Sequence, residues 1–267
     1  MNICVCIKQV PDTNEIKVDP VTHTLVRKGV PSIVNPFDTY AQEVGVRLKE
    51  KLGGKVVVIS MGPEQAKEAI KTCLSVGADA GYLISSRKFG GSDTLATSYI
   101  LSEAIKAVEE KEGLKFDLIL CGKQAVDGDT AQVGPQISEH LDIPVISYAQ
   151  NLKVEGDSVI VERQYDDRYH VLKAKMPCLV TALAELNEPR YMTPGGIFDA
   201  YDAEITVWGR KDLKDVDDSN LGLKGSPTQI AKASDKVRKG AGEKIVPDSP
   251  EDGAAYIVAK FKEKHII

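Results

Sequence analysis

The stretch Phe116–Leu141, FDLILCGKQAVDGDTAQVGPQISEHL, decides how this chain is read. Leu118-Ile119-Leu120-Cys121 is an apolar run too short for a helix and closed by Gly122, the mark of a buried strand. The loop Gly122–Asp129 follows, with two glycines, Lys123, Asp127 and Asp129. After it, Thr130, Ala131, Val133, Ile137 and Leu141 are spaced for a helix that packs back on the sheet. A strand that empties through such a loop into a helix N-terminus is where α/β proteins hold nucleotide phosphates and ribose. Backbone N–H groups lie open there, and the helix dipole favours an anion. The loop is neither GxGxxG nor the phosphate loop GxxxxGK. Pattern alone leaves two readings open: a nucleotide site, or an ordinary βα loop with an Asp or Thr cap.

Working outward, strand and helix alternate four times over Asn2–Ser147. ICVCI within Asn2–Val10 reads as a first strand, and Ile16–Val18 with Thr24–Val26 as a short hairpin. A helix capped by Asp38 follows, with Ala41, Val44, Leu48 and Leu52 on one face, then the strand Val56–Ile59. A helix from Pro63 to Gly77, a strand Gly81–Ser85 and a helix from Asp93 or Thr94 lead into the central stretch, and Pro144–Ser147 is a fifth strand. Crossovers of this length predict a doubly wound, mostly parallel α/β sheet, its ligand crevice at the carboxyl ends of the strands. From Leu152 the period changes to two, with a turn at Gly156-Asp157, which predicts an antiparallel extension reaching through Val171-Leu172 and Met176–Leu183. Asn187–Ile197 reads as a surface loop, and Arg210–Pro247 as an extended arm. A final helix is capped by Ser249, with Pro250 first and Ala254, Ile257, Val258 and Phe261 as its apolar stripe. A helix at the end of a polar arm has little core of its own, which points to a partner subunit. The expected division is an α/β domain over 1–204, including the 187–197 loop, and an arm and helix over 205–267.

The chain has 267 residues, 42% apolar and 27% charged, ordinary for a soluble globular protein. Its net charge of −5 argues against a nucleic-acid partner. No apolar run reaches the ~18 residues of a membrane helix, and MNICVCIKQV lacks a signal-peptide layout, so a cytoplasmic or organelle-matrix protein is expected. Five cysteines without a CxxC read as reduced, buried thiols, and four scattered histidines give a metal site no support. No Ser/His/Asp or Cys/His set and no paired carboxylates with acid–base spacing can be argued, which suits a protein that positions a cofactor. An ATP-using hydrolase or ligase of a related α/β fold is the competing class; it predicts a phosphate loop after the first strand, where Lys8–Asp12 has no glycine.

CGKQAVDGDTAQVGP, NPFDTYAQE, SMGPEQ and LNEPRYMTPGGI together resemble the β (small) subunit of electron-transfer flavoproteins along most of the chain. The resemblance implies a heterodimer with a larger α subunit that carries a redox FAD. In plain electron carriers the β subunit holds a structural AMP. In the bifurcating branch it holds a second FAD that takes a hydride from NADH. One electron then passes to ferredoxin or flavodoxin, the other through the α-subunit FAD to an acyl-CoA dehydrogenase. DGDTAQVGP and FGGSDTLATS resemble the bifurcating branch; AMP-binding members usually carry bulkier or more acidic residues where Gly128 and Ala131 stand.

By that resemblance the nucleotide-contacting set is Cys6, then Asn35, Phe37 and Asp38 of the NPFD turn, Met61, and the central loop Gly122, Lys123, Gln124, Ala125, Val126, Asp127, Gly128, Asp129, Thr130, Ala131, Gln132 and Val133. Lys123 and the N–H groups of residues 130–133 are assigned to the phosphates, and Asp127 or Asp129 to ribose or the helix cap. Asp93, Thr94 and Thr97 are assigned polar contacts to the flavin ring. The loop 187–197 corresponds to the family's recognition loop, with Pro189, Arg190, Tyr191, Met192, Pro194 and Ile197 as docking residues. Pro194 and two glycines stand where many members place a leucine anchor.

Overall fold

The computed structural model describes residues 1–12, 31–228 and 240–267. They fall into two units, one holding 1–12 and 31–228, the other 240–267. The expected hairpin of Ile16–Val18 and Thr24–Val26 lies outside the described residues.

In chain order the first unit contains β1 (Asn2–Ile7), β2 (Gln9–Pro11), β3 (Ser32–Val34), α1 (Pro36–Leu52), β4 (Lys55–Met61), α2 (Lys67–Ser75), β5 (Ala80–Ile84), α3 (Thr94–Glu112), β6 (Leu118–Gly122), α4 (Val133–Leu141), β7 (Val145–Glu155), β8 (Ser158–Gln164), β9 (Tyr169–Lys175), β10 (Cys178–Ala182), α5 (Pro194–Asp202) and β11 (Ile205–Trp208). The main sheet runs β11-β5-β4-β1-β6-β10-β7-β8-β9, and β2-β3 form a separate antiparallel ribbon. Every pair from β11 to β7 is parallel, and β7-β8-β9 are antiparallel.

Strand alternation distributes the core on two faces. Ile3, Val5 and Ile7 of β1 point to one face, where α1 places Ala41, Val44 and Leu48 and α2 places Ala69 and Ile70. Cys4 and Cys6 point to the other, against Ile100, Ala104, Ile105 and Val108 of α3 and Ile137 of α4. Helices therefore cover both faces, as the alternating pattern predicts.

Four details depart from expectation. The run Met176–Leu183 does not prolong the antiparallel extension: β10 slots in parallel between β6 and β7. Its five residues are all buried, which suits an interior strand. The 187–197 loop ends at Thr193, whose hydroxyl accepts from Gly196 N at 3.1 Å and caps α5, with Pro194 in its first turn. Gly196 lets that helix lie on α2, because a Cβ there would strike the Ser75 carbonyl. The stretch from 205 does not begin an arm. β11 pairs with β5, and Leu213, Val216 and Leu221 are buried in the second core layer, so the chain through 228 stays with the α/β unit. Finally, α4 begins at Val133, not at residue 130.

The second unit carries α6 (Pro250–Glu263), with Ser249 accepting from Asp252 N at 3.2 Å and Pro250 in the first turn, as expected. Its apolar stripe, Ile257, Val258 and Phe261, is exposed.

Candidate nucleotide site

From β1 the chain moves to β4 and β5 on one side, then crosses to β6 on the other. The carboxyl ends of β1 and β6, registered with Cys6 opposite Cys121, thus bracket the point where the winding reverses, the usual crevice of an open α/β sheet. The segments singled out by sequence meet here.

The NPFD turn works from beneath this crevice. Asp38 is buried, and its carboxylate accepts from Lys8 N at 2.7 Å and Gly122 N at 3.1 Å, tying the two strand ends together. Asn35 is also buried; its Nδ2 donates to the Gln124 carbonyl at 2.8 Å and its Oδ1 accepts from Val126 N at 3.0 Å. Both side chains hold the loop from within the protein. Asp38 is not the cap of α1, since Asn35 occupies that position. Gly122 is required by this packing: a Cβ on it would lie 2.6 Å from the Phe37 carbonyl carbon and strike the Asp38 carboxylate.

Burial raises the Asp38 pKa from 3.8 to about 7, against the pull of its hydrogen bonds. The folded chain therefore holds this proton more tightly than the unfolded one. The resulting contribution to stability is complete below pH about 4 and disappears as pH rises through 7. Asp38→Asn removes the titration. In urea unfolding between pH 4.5 and 8, wild type should lose stability relative to the variant with rising pH, by about 3 kcal/mol. A difference that stays flat with pH would exclude this account.

Above the turn, the loop manages its own acids. Asp127 pairs with Lys8 Nζ at 2.5 Å, and Asp129 accepts from Gln124 Nε2 at 2.6 Å. Neither caps α4, whose N-cap position is Gln132 without a side-chain cap bond. The N–H groups of Val133 and Gly134 have no intrahelical partner by position, and Pro135 has no N–H. Asp129 and Ala131 adopt left-handed backbone, with φ of 52° and 53°. Val126, Gly128, Asp129, Thr130 and Gln132 are exposed, so the site is an open shelf. Lys123 projects its Nζ over the rings of Phe37 and Tyr148.

Thr94 stands beside the shelf, its Oγ1 donating to Gln132 Oε1 at 2.9 Å. Asp93 caps α3 through Leu95 N and Ala96 N and accepts from Thr228 Oγ1 at 2.7 Å, while Thr97 donates its N–H to the Asp93 carbonyl. Cys6 is buried at the β1–β6 pairing, and Met61 packs on the second core layer. Sequence reasoning missed Lys8, although a lysine directly after the first strand was the available signal.

The docking candidates form a separate group against α1. Arg190 donates to Glu43 Oε2 through Nε at 2.9 Å and to Glu50 through both terminal nitrogens. Asn187 Nδ2 donates to the Tyr40 carbonyl at 2.9 Å, and Arg47 donates to the Glu188 carbonyl. Pro189 is half-buried. Tyr191 is 92% exposed, with Met192 and Ile197 also exposed, and Phe198 and Tyr201 of α5, which sequence reasoning missed, extend this surface.

The model of the electron transfer flavoprotein domain matches residues 22–213 of the chain. This chain belongs to the electron transfer flavoprotein family. It is 51% identical, over the full length of both, to an electron transfer flavoprotein β subunit of Clostridium acetobutylicum. It is 49% identical, again over the full length of both, to subunit CarD of the caffeyl-CoA reductase–Etf complex of Acetobacterium woodii. The electron transfer subunit gamma of an acryloyl-CoA reductase from Anaerotignum propionicum is 42% identical over the full length of both chains. Among the described residues of this electron transfer flavoprotein chain, no helix is long and apolar enough to cross a membrane.

Proposed function

We propose that this chain is the small subunit of a bifurcating electron-transfer flavoprotein, binding FAD on the shelf at the β1–β6 switch point and pairing with an α subunit. The observation that carries the reading is the uncapped start of α4 above a loop strapped down by Asn35 and Asp38. The residues fit a dinucleotide. The amides of Val133 and Gly134 are free of side-chain caps for phosphate, and Lys8 neutralises the Asp127 charge that would repel it. A Cβ on Gly128 would meet nothing within 4 Å, which leaves room for a ring. Thr94 stands at the shelf's side, and the exposure of residues 128–130 suits a site that a partner subunit closes. When bound, the flavin supplies hydride acceptance from NADH and the division of the two electrons between ferredoxin or flavodoxin and, through the α-subunit FAD, an acyl-CoA dehydrogenase. The likeness to subunits of caffeyl-CoA and acryloyl-CoA reductase complexes supports a reductase partner of that kind.

Cofactor counting tests the proposal. The purified heterodimer should release two FAD, one bleached first by NADH; one FAD and one AMP would make this a non-bifurcating carrier with a structural nucleotide. Gly128→Asp places bulk and charge in the open space and should remove the second FAD while leaving the fold intact, as read by circular dichroism. Full flavin content in that variant would reject this placement of the loop.

A further inference from the structure

Beside the shelf, one aromatic ring is flanked by two cations. The register of β7 against β10 shifts between Ile146 and Ala149, around Tyr148, whose backbone is left-handed, with φ of 59°. A bulky side chain rarely takes this conformation, and such strain persists only where the surroundings enforce it. Here Tyr148 N donates to Thr181 Oγ1 at 3.0 Å, and the neighbouring Ala149 registers with Arg163 of β8. Lys123 Nζ lies 5.6 Å from the Tyr148 ring centroid and the Arg163 guanidinium 5.5 Å. Arg163 also lies 4.9 Å from the Tyr165 ring.

Neither cation has a carboxylate within ion-pair reach among the described residues, although the chain carries five more acids than bases. The contrast with the adjoining loop is plain: Asp127 is paired and Asp129 is hydrogen-bonded, so its acids are answered while these two positive charges are not. Arg163 Nε is moreover buried without a hydrogen-bond partner, an uncommon condition for a charged group. The two charged groups are at most about 11 Å apart, a gap that a diphosphate with its hydrogen-bonded oxygens can bridge. A planar guanidinium lying close to two tyrosine rings offers forked donors for recognition of phosphate.

We infer that Arg163 and Lys123, both lying against Tyr148, form a subsite for the diphosphate of a dinucleotide. The inference rests on the nucleotide reading of the shelf and adds Arg163 and Tyr148 to it. A dinucleotide diphosphate has two sources here, the resident FAD and the NADH donor, and the test separates them.

Arg163→Gln, Lys123→Gln and Arg163→Lys are made in the full heterodimer and checked by melting temperature. Each is stripped and reconstituted with FAD or AMP, and the FAD-loaded form is titrated with NADH. The glutamine variants should each weaken dinucleotide binding about tenfold or more, the usual effect of losing a hydrogen bond to a charged group, with Arg163→Lys intermediate. Weaker FAD retention identifies the resident cofactor; weaker NADH binding at full FAD content identifies the donor. AMP, with a single phosphate, should lose less than FAD. Affinities for all three equal to wild type would overturn the inference, as would weakening of α–β association alone. A wild-type dimer that takes up no nucleotide would instead remove the reading beneath it.

Discussion

Gly122→Ala is expected to empty the proposed nucleotide site and to destabilise the α/β unit together. The added Cβ would lie 2.6 Å from the Phe37 carbonyl carbon, a backbone atom in the first turn of α1, and would also strike the Asp38 carboxylate. Neither neighbour has a flexible end that can swing aside. Relief requires α1 and β6 to separate, which breaks the hydrogen bonds from Gly122 N and Lys8 N to Asp38. Overpacking of this kind costs about 1–3 kcal/mol, and the two hydrogen bonds, one of them buried, bring the expected loss to the upper part of that range. Urea unfolding and nucleotide content of the purified heterodimer give the two readouts. A variant that keeps wild-type stability and cofactor would show that the strand end is not packed as described.

Arg190→Ala should produce the second large effect, on stability and on the proposed partner docking. Glu43 is 3% exposed, and burial pushes its carboxyl pKa up, but Arg190 and Arg47 outweigh that and hold it below the ordinary range. Arg190 likewise holds Glu50 down. Without Arg190, Glu43 keeps only the partly exposed Arg47. Breaking a fully buried pair costs about 3–5 kcal/mol, and the partial exposure of Arg190 lowers the expected cost to about 2–3 kcal/mol. Because both carboxyls are depressed in the folded chain, this contribution is present above pH about 4.5 and is lost as pH falls further. Wild type and variant should converge in stability as the pH falls below that range. Arg190→Lys should recover only part, since an ammonium cannot fork to Glu43 and Glu50 at once. The segment carrying Tyr191 and Met192 would lose its tie to α1, so on the proposed docking role of this segment, electron transfer to the proposed dehydrogenase partner should require a higher partner concentration. Unchanged partner dependence in a destabilised Arg190→Ala protein would detach this segment from docking.

The elements that sequence reading located are those whose signals are local. The apolar run of β6 ending at Gly122, the Asp93 cap of α3 and the Ser249-Pro250 start of α6 each follow from a few adjacent residues. The parallel sheet followed from crossover lengths. Missed were features decided by distant neighbours. Nothing within Met176–Leu183 says that β10 enters between β6 and β7, because that slot is created by strands some 30 and 60 residues upstream. Ile205–Trp208 finds its partner in β5, more than 100 residues earlier. At the site, sequence placed Asn35 and Asp38 at the switch point but not the direction of their side chains, which turn inward to hold the loop. Tyr148 offered no signal at all, since its left-handed backbone is imposed by Thr181 and β8.

The central position of β1 has a consequence for the chain as it is made. Its residues emerge well before those of β6, for which one flank waits and which begins at residue 118. At about 5–20 residues per second, translation leaves that flank open for roughly 6–20 s. During that interval the nascent half-sheet presents unpaired amides and carbonyls beside apolar side chains, a ready template for a neighbouring copy. Yield on overexpression should therefore depend more on chaperone supply than on the stability of the finished protein.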